Sequence, residues 1–172
     1  MQAKTITLGI TVLLIAGTLD ASPETERADA DEVVAKVRKA VALIEELGDA
    51  AFAPLADPSS GYVWKDTYVF VVNCDADRVM ANPAFPERVG GDIKQHTDYS
   101  GRRYGSDLCV TAAKDGGGWV EYVWLTPGGD TPRRKVSFVM SVPGRPYQVG
   151  AGIYDPTTSV ADLDRKVESF KR

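Results

Sequence analysis

Gly116-Gly117-Gly118-Trp119-Val120-Glu121-Tyr122-Val123-Trp124, Lys135-Val136-Ser137-Phe138-Val139 and Val149-Gly150-Ala151-Gly152-Ile153-Tyr154 decide the fold class. Each segment alternates around large aromatic or β-branched residues, the period-two signal of a strand with one buried face. Pro127-Gly128-Gly129 and Pro143-Gly144 separate them and suit hairpin turns. Trp119 to Leu125, Arg134 to Val142 and Tyr147 to Tyr154 are therefore expected to form an antiparallel meander.

Upstream, Thr67 to Asn73 is almost entirely β-branched or aromatic and reads as a further strand. Asp75 to Arg78 supplies a turn into a short strand at Val79 to Ala81. Residues 24–48 read as one long helix, with Val33, Val34, Val37, Val41, Ile44 and Leu47 at three- and four-residue steps and Gly48 as its stop. Pro54, Pro58 and Ser59-Ser60-Gly61 make residues 49–65 a connector. A polar crossover follows the second strand, with a helix expected over Ser106 to Lys114. Ser159 to Lys171 reads as a closing helix, with Val160, Leu163, Val167 and Phe170 on one stripe. The sum is an α+β domain: a long N-terminal helix on a five-stranded antiparallel sheet, a crossover loop and helix, and a C-terminal helix.

The first 21 residues read as a signal peptide, with Lys4 ahead of an apolar run from Ile6 to Gly17 and a cleavage point near Ala21-Ser22. An uncleaved membrane anchor is the alternative. Residues 22–172 then form one domain, exported to the periplasm or secreted. The net charge of −4 and pI near 5.0 argue against nucleic acid or an anionic membrane surface as partner. Cys74 and Cys109 are the only cysteines. In an oxidising compartment an even count favours a disulfide, the alternative being two buried thiols that never meet.

The order of elements and the residues Tyr68-Val69-Phe70-Val71-Val72, Met80-Ala81-Asn82-Pro83, Val89-Gly90-Gly91-Asp92, Asp98-Tyr99-Ser100-Gly101 and Leu108 to Lys114 are similar to a single Cache domain of the second class. Gly118 to Trp124, Lys135 to Val139 and Val149 to Tyr154 carry the strongest match, which spans about residues 24–156. Cache domains are PAS-like extracytoplasmic sensor modules. The resemblance implies a small-molecule pocket on the sheet face away from the long helix, roofed by residues 82–104. It also implies a ligand such as a small organic acid or amino acid. Members of the family commonly have His before the Pro that ends the second strand, where this chain has Asn82. If that position touches ligand, specificity shifts.

Lys135 is the leading ligand contact, because a strand-borne ammonium facing a half-dry cavity favours a carboxylate. A strand-end lysine that meets water is the alternative. Tyr122 and Trp124 share a strand face and either line the pocket or pack as core. Trp64 and Tyr68 are candidates of the same kind, and Arg102 offers a guanidinium near the roof. Tyr147 and Tyr154 are expected to be structural, and Asp98 to serve its turn.

Catalysis has little footing. His96 is the only histidine, expected at the surface, and no nucleophile motif surrounds it. No phosphate loop, metal-ligand spacing or redox Cys-x-x-Cys is present, so no enzyme activity and no cofactor is expected. The expected function is that of an exported binding protein that signals to a membrane sensor or transporter. An interaction module with a non-functional pocket is the alternative.

Overall fold

The computed structural model describes residues 26–169, with side chains through Val167. The expected leader at 1–21, the first residues of the expected long helix and Phe170 lie outside the described residues.

Helix α1 runs over Ala30–Leu47, and the described residues 26–29, expected to belong to it, lie outside it. Its boundary is set by a capping box: the Asp29 carboxylate accepts from the Glu32 N–H, and the Glu32 carboxylate accepts from the Asp29 N–H. Ahead of it the chain is held out of the helix, because the Ala28 N–H donates to the buried carboxylate of Asp66 at 2.8 Å. Gly48 ends α1 at φ +59°, a left-handed conformation that an L residue enters at a cost. The connector is more regular than its prolines imply. A 3₁₀ turn at Gly48–Ala51 leads into helix α2 at Phe52–Ala56, and Pro54 sits in the first turn, where its missing N–H forfeits no bond.

Six strands follow: β1 at Val63–Trp64, β2 at Thr67–Asn73, β3 at Arg78–Ala81, β4 at Gly118–Trp124, β5 at Arg133–Ser141 and β6 at Gln148–Ile153. Helix α3 spans Tyr104–Ala112, and α4 spans Val160–Ser169. All pairings are antiparallel, in the order β1-β2-β6-β5-β4, and β3 shares the outer side of β2 with β1. The two-residue β1 is the one strand absent from the sequence reading, being too short to show a period.

Alternation along the strands divides the interior in two. Val69, Val71, Trp119, Val136, Phe138, Val149, Ala151 and Ile153 pack under α1 and α4. Tyr68, Phe70, Val72, Val120, Tyr122, Trp124 and Val139 face the other way, under the crossover and α3. Cys74 and Cys109 form a disulfide that ties the β2–β3 turn to α3 across this second core.

The crossover is fastened in two further places. At the free side of β4, Asp98 accepts from the Val123 N–H at 2.9 Å, the Tyr99 N–H donates to the Val123 carbonyl, and Arg102 donates to the Glu121 carbonyl. Burial acts to raise the Asp98 pKa, but bonds from Ser100, Val123 and Arg102 outweigh it and hold the carboxylate below its usual range. Near the start of α3, Gly105 packs so tightly on the roof that an added Cβ would sit 1.9 Å from the Ile93 carbonyl oxygen. Because that neighbour is backbone, Gly105→Ala is expected to cost about 1–3 kcal/mol in urea unfolding. A variant as stable as the parent would show that α3 and the roof are not in register as described.

Candidate functional site

The roofed face of the sheet converges on one amine. Lys135 lies on β5 opposite Tyr122 of β4, pointing to the side of the sheet away from α1. It is fully buried, and its Nζ has no hydrogen-bond partner. Rings surround it: Nζ is 4.0 Å from the Tyr68 ring centroid, 5.2 Å from that of Tyr154 and 5.8 Å from that of Phe70. Gly152 of β6 makes the room. A Cβ there would meet Lys135 Cε at 2.7 Å and Ser137 Oγ at 2.4 Å, so the lysine stem and the serine hydroxyl both lie over the bare glycine.

Burial pushes the Lys135 pKa down to about 7, and the Asp66 carboxylate offsets this only in part. Aromatic faces attract an ammonium by about 0.5–2 kcal/mol each. That does not replace the hydrogen bonds lost from water, so the site is short of an anion.

A polar rim accompanies the amine. Ser137 Oγ and Tyr122 Oη are 2.8 Å apart. Burial raises the Tyr68 pKa strongly, with Tyr154 and Tyr104 adding to it, while hydrogen bonding with Trp124 and Asn82 pulls the other way. Tyr68, Trp124 and Asn82 therefore meet at one polar point. Asn82 also accepts from the Phe85 N–H at 2.9 Å, which fixes the start of the roof. The roof itself is aromatic. Tyr104 stacks on Tyr122 at 4.4 Å, Phe85 packs against Tyr68 at 5.5 Å, and Arg88 covers Trp124 at 4.5 Å.

Of the residues singled out by sequence, Tyr68, Asn82, Tyr122, Trp124 and Lys135 come together here. Two do not. Trp64 belongs to the opposite core: the pleat of β1 sends Val63 toward the roof and Trp64 toward α1, where Lys36 Nζ lies 5.4 Å from its ring. Arg102 is half exposed and spends its guanidinium on Asp107 and the Glu121 carbonyl rather than near Lys135. Phe70, Phe85, Tyr104, Ser137 and Tyr154 were not singled out. Tyr154 was read as structural, and its hydroxyl does donate to the Leu125 carbonyl, yet its ring walls the lysine. Phe70 was open to detection, since it shares a strand face with Tyr68; Phe85 and Tyr104 stand in irregular segments without a period.

Elsewhere, a cleft of about 720 Å³ opens between the start of α1 and the β6–α4 connection. On its walls Lys166 bonds to Asp31, and Asp155 takes bonds from Thr157 and Thr158. It shares Tyr154 with the Lys135 surroundings but is not lined by the unpaired amine, and is a weaker candidate for that reason. His96 is half-buried rather than at the surface, with its pKa lowered by burial and then by Arg88. Among the described residues no cluster of His, Cys, Asp or Glu is arranged to hold a metal ion, and no helix is long and apolar enough to cross a membrane.

Comparison with known proteins agrees with this fold. A double-Cache family model, described as Cache domain, matches residues 58–158. Sensor histidine kinase MctS of Rhizobium johnstonii is 34% identical over 90 residues, which is 52% of this chain and 19% of the kinase. The chain thus spans about a fifth of that relative. The periplasmic sensor domain of a chemotaxis protein superposes with a TM-score of 0.63 at 27% identity, covering 73% of this chain and 94% of that one. A methyl-accepting chemotaxis protein from Vibrio parahaemolyticus shares the fold at TM-score 0.61 and 20% identity, covering 78% and 90%. So does a Cache chemosensory domain studied for carboxylic acid recognition, at TM-score 0.62 and 19% identity, covering 73% and 92%.

Proposed function

Because this chain belongs to the Cache domain family of non-enzymatic extracytoplasmic sensor modules, we propose that it is a single-Cache binding protein for a small carboxylate-bearing metabolite. The observation that carries this reading is the Lys135 amine, buried among rings with no acceptor of its own. A carboxylate would supply both the missing counter-charge and the hydrogen bonds, and the apolar walls would favour a short aliphatic remainder. The Tyr68, Asn82 and Trp124 polar point offers donors for a second oxygen. That a solved relative is described by its carboxylic acid recognition supports the assignment. Export to the periplasm and signalling to a membrane partner, as a sensor kinase or chemoreceptor would require, complete the proposal.

Amino acids fit less well than simple acids. Asp98, the one buried carboxylate of the roof, is already saturated by Ser100, Arg102 and Val123, leaving nothing to receive an α-ammonium. In a thermal-shift screen with acetate, propionate, lactate, succinate and a set of amino acids, short monocarboxylates are expected to give the largest effect. Saturation at about 100 times Kd is worth about 2.7 kcal/mol, or roughly 5–10 °C for a domain of this size. Silence across all the acids would overturn the reading and favour a protein-interaction role.

A further inference from the structure

We propose that the Lys135 site also captures small 2-oxo carboxylates covalently, as a reversible imine on Nζ. The inference rests on the binding reading for access to the pocket, and adds a reaction to it. Surface lysines carry a proton, which occupies the lone pair that a carbonyl carbon needs. Lys135 differs in its surroundings: it is fully buried, has no acceptor to stabilise an ammonium, and lies against the faces of Tyr68, Phe70 and Tyr154. Desolvation of that kind is what makes a lysine nucleophilic at neutral pH.

The elements packed around Lys135 bring rings rather than charges that would keep the proton in place. From β2 come Tyr68 and Phe70, from β4 Tyr122, and from the end of β6 Tyr154. The acid that acts on Lys135 is Asp66, which already accepts the Ala28 N–H. The tyrosines are neutral, since burial raises the pKa of Tyr68, Tyr122 and Tyr154. The amine therefore sits at about 7 and is free-base in roughly half the molecules there. An exposed lysine near 10.4 is free-base in about one molecule in a few thousand at the same pH.

The chemistry balances without an added oxidant or reductant. The Nζ lone pair adds to the 2-oxo carbonyl carbon, and one proton passes from the nitrogen to the carbonyl oxygen to give a carbinolamine. Loss of that hydroxyl as water leaves C=N, and addition of water reverses the sequence. Ser137 Oγ lies beside the lysine stem over Gly152 and is hydrogen-bonded to Tyr122 Oη, a pair of hydroxyls that can pass the protons involved. A 2-oxo acid is favoured over a plain aldehyde for an electrostatic reason. Its carboxylate remains next to the nitrogen, so once the imine is protonated the ion pair that the site lacks is formed.

The test is reductive trapping. The purified protein is incubated with pyruvate or glyoxylate and sodium cyanoborohydride at pH 7, then digested and mapped by mass spectrometry. The expected result is one dominant adduct on the Lys135 peptide. Its rate should exceed that of any surface lysine by about 100-fold or more, rise between pH 6 and 8, and fall in excess propionate. Lys135→Arg, which keeps a cation but cannot form the imine, should lose the adduct. If that variant fails to fold, the pH profile and propionate competition on the parent decide the matter. Adducts scattered over surface lysines, with pyruvate still bound by calorimetry, would overturn the imine and leave carboxylate binding standing. No adduct and no binding of either acid would overturn both.

Discussion

Lys135→Met is expected to abolish carboxylate binding and, at the same time, raise the stability of the unliganded protein. Both effects come from the same buried charge. Removing one partner of a desolvated ion pair costs about 2–5 kcal/mol, so affinity should fall by about 30-fold or more. In the free protein, however, the ammonium has no partner, and methionine fills the stem volume without needing one. The sign of the pH dependence follows from linkage. The folded pKa near 7 lies below the ordinary 10.5, so between those values the unfolded chain holds more protons than the folded one. Stability of the parent therefore rises with pH across that window, and below pH 7 the full penalty applies. A gap of that size corresponds to about 5 kcal/mol. The methionine variant should gain most at pH 6 and least toward pH 10 in urea unfolding. Carboxylate affinity of the parent should weaken by up to about tenfold per pH unit above 7, because binding then requires taking up a proton. Equal stability of the two proteins at pH 6, with binding retained, would refute this account of Lys135.

The second large effect is expected at the disulfide. Reducing Cys74–Cys109, or replacing both with serine, opens a loop whose ends are 35 residues apart. In the chain-entropy model that loop is worth about 3–4 kcal/mol. The loss is not evenly felt. The bond joins the β2–β3 turn to α3, and both flank the roof of the candidate pocket. Ligand binding should therefore weaken together with stability, and a saturating carboxylate should recover part of the lost melting temperature. A free-thiol count on the denatured, unreduced protein checks the premise; two thiols per chain would contradict it.

How much of this was legible in the sequence depends on the kind of force that fixes each part. The strands were, because period-two burial is written residue by residue: β2 coincides with the run Thr67 to Asn73, and the meander strands shift by one residue at most. The start of α1 was not, because it is fixed by the reciprocal bonds of Asp29 and Glu32 and by Asp66 reaching back to Ala28. The last of these partners is 38 residues away and invisible to a local pattern. The same contrast runs through the site. Lys135, Tyr68, Tyr122 and Trp124 sit on strands, where parity decides which side a residue faces. Trp64 failed because a two-residue strand has no parity to read, and Arg102 because a loop cation goes to whichever acceptors the fold brings near, here Asp107 and Glu121. Phe85 and Tyr104 acquire their role only when the disulfide and Gly105 press the crossover onto the sheet.

The fastening of Val123 and Glu121 by Asp98, Tyr99 and Arg102 has a meaning beyond holding the crossover. β4 is the terminal strand of the sheet, and an open terminal strand is a template on which another chain can zip. Here a carboxylate, a peptide N–H and a guanidinium stand where that foreign strand would have to bond. The sheet is thus closed to growth on this border by three residues rather than by a whole extra strand. A second chain is therefore barred from extending this sheet from β4.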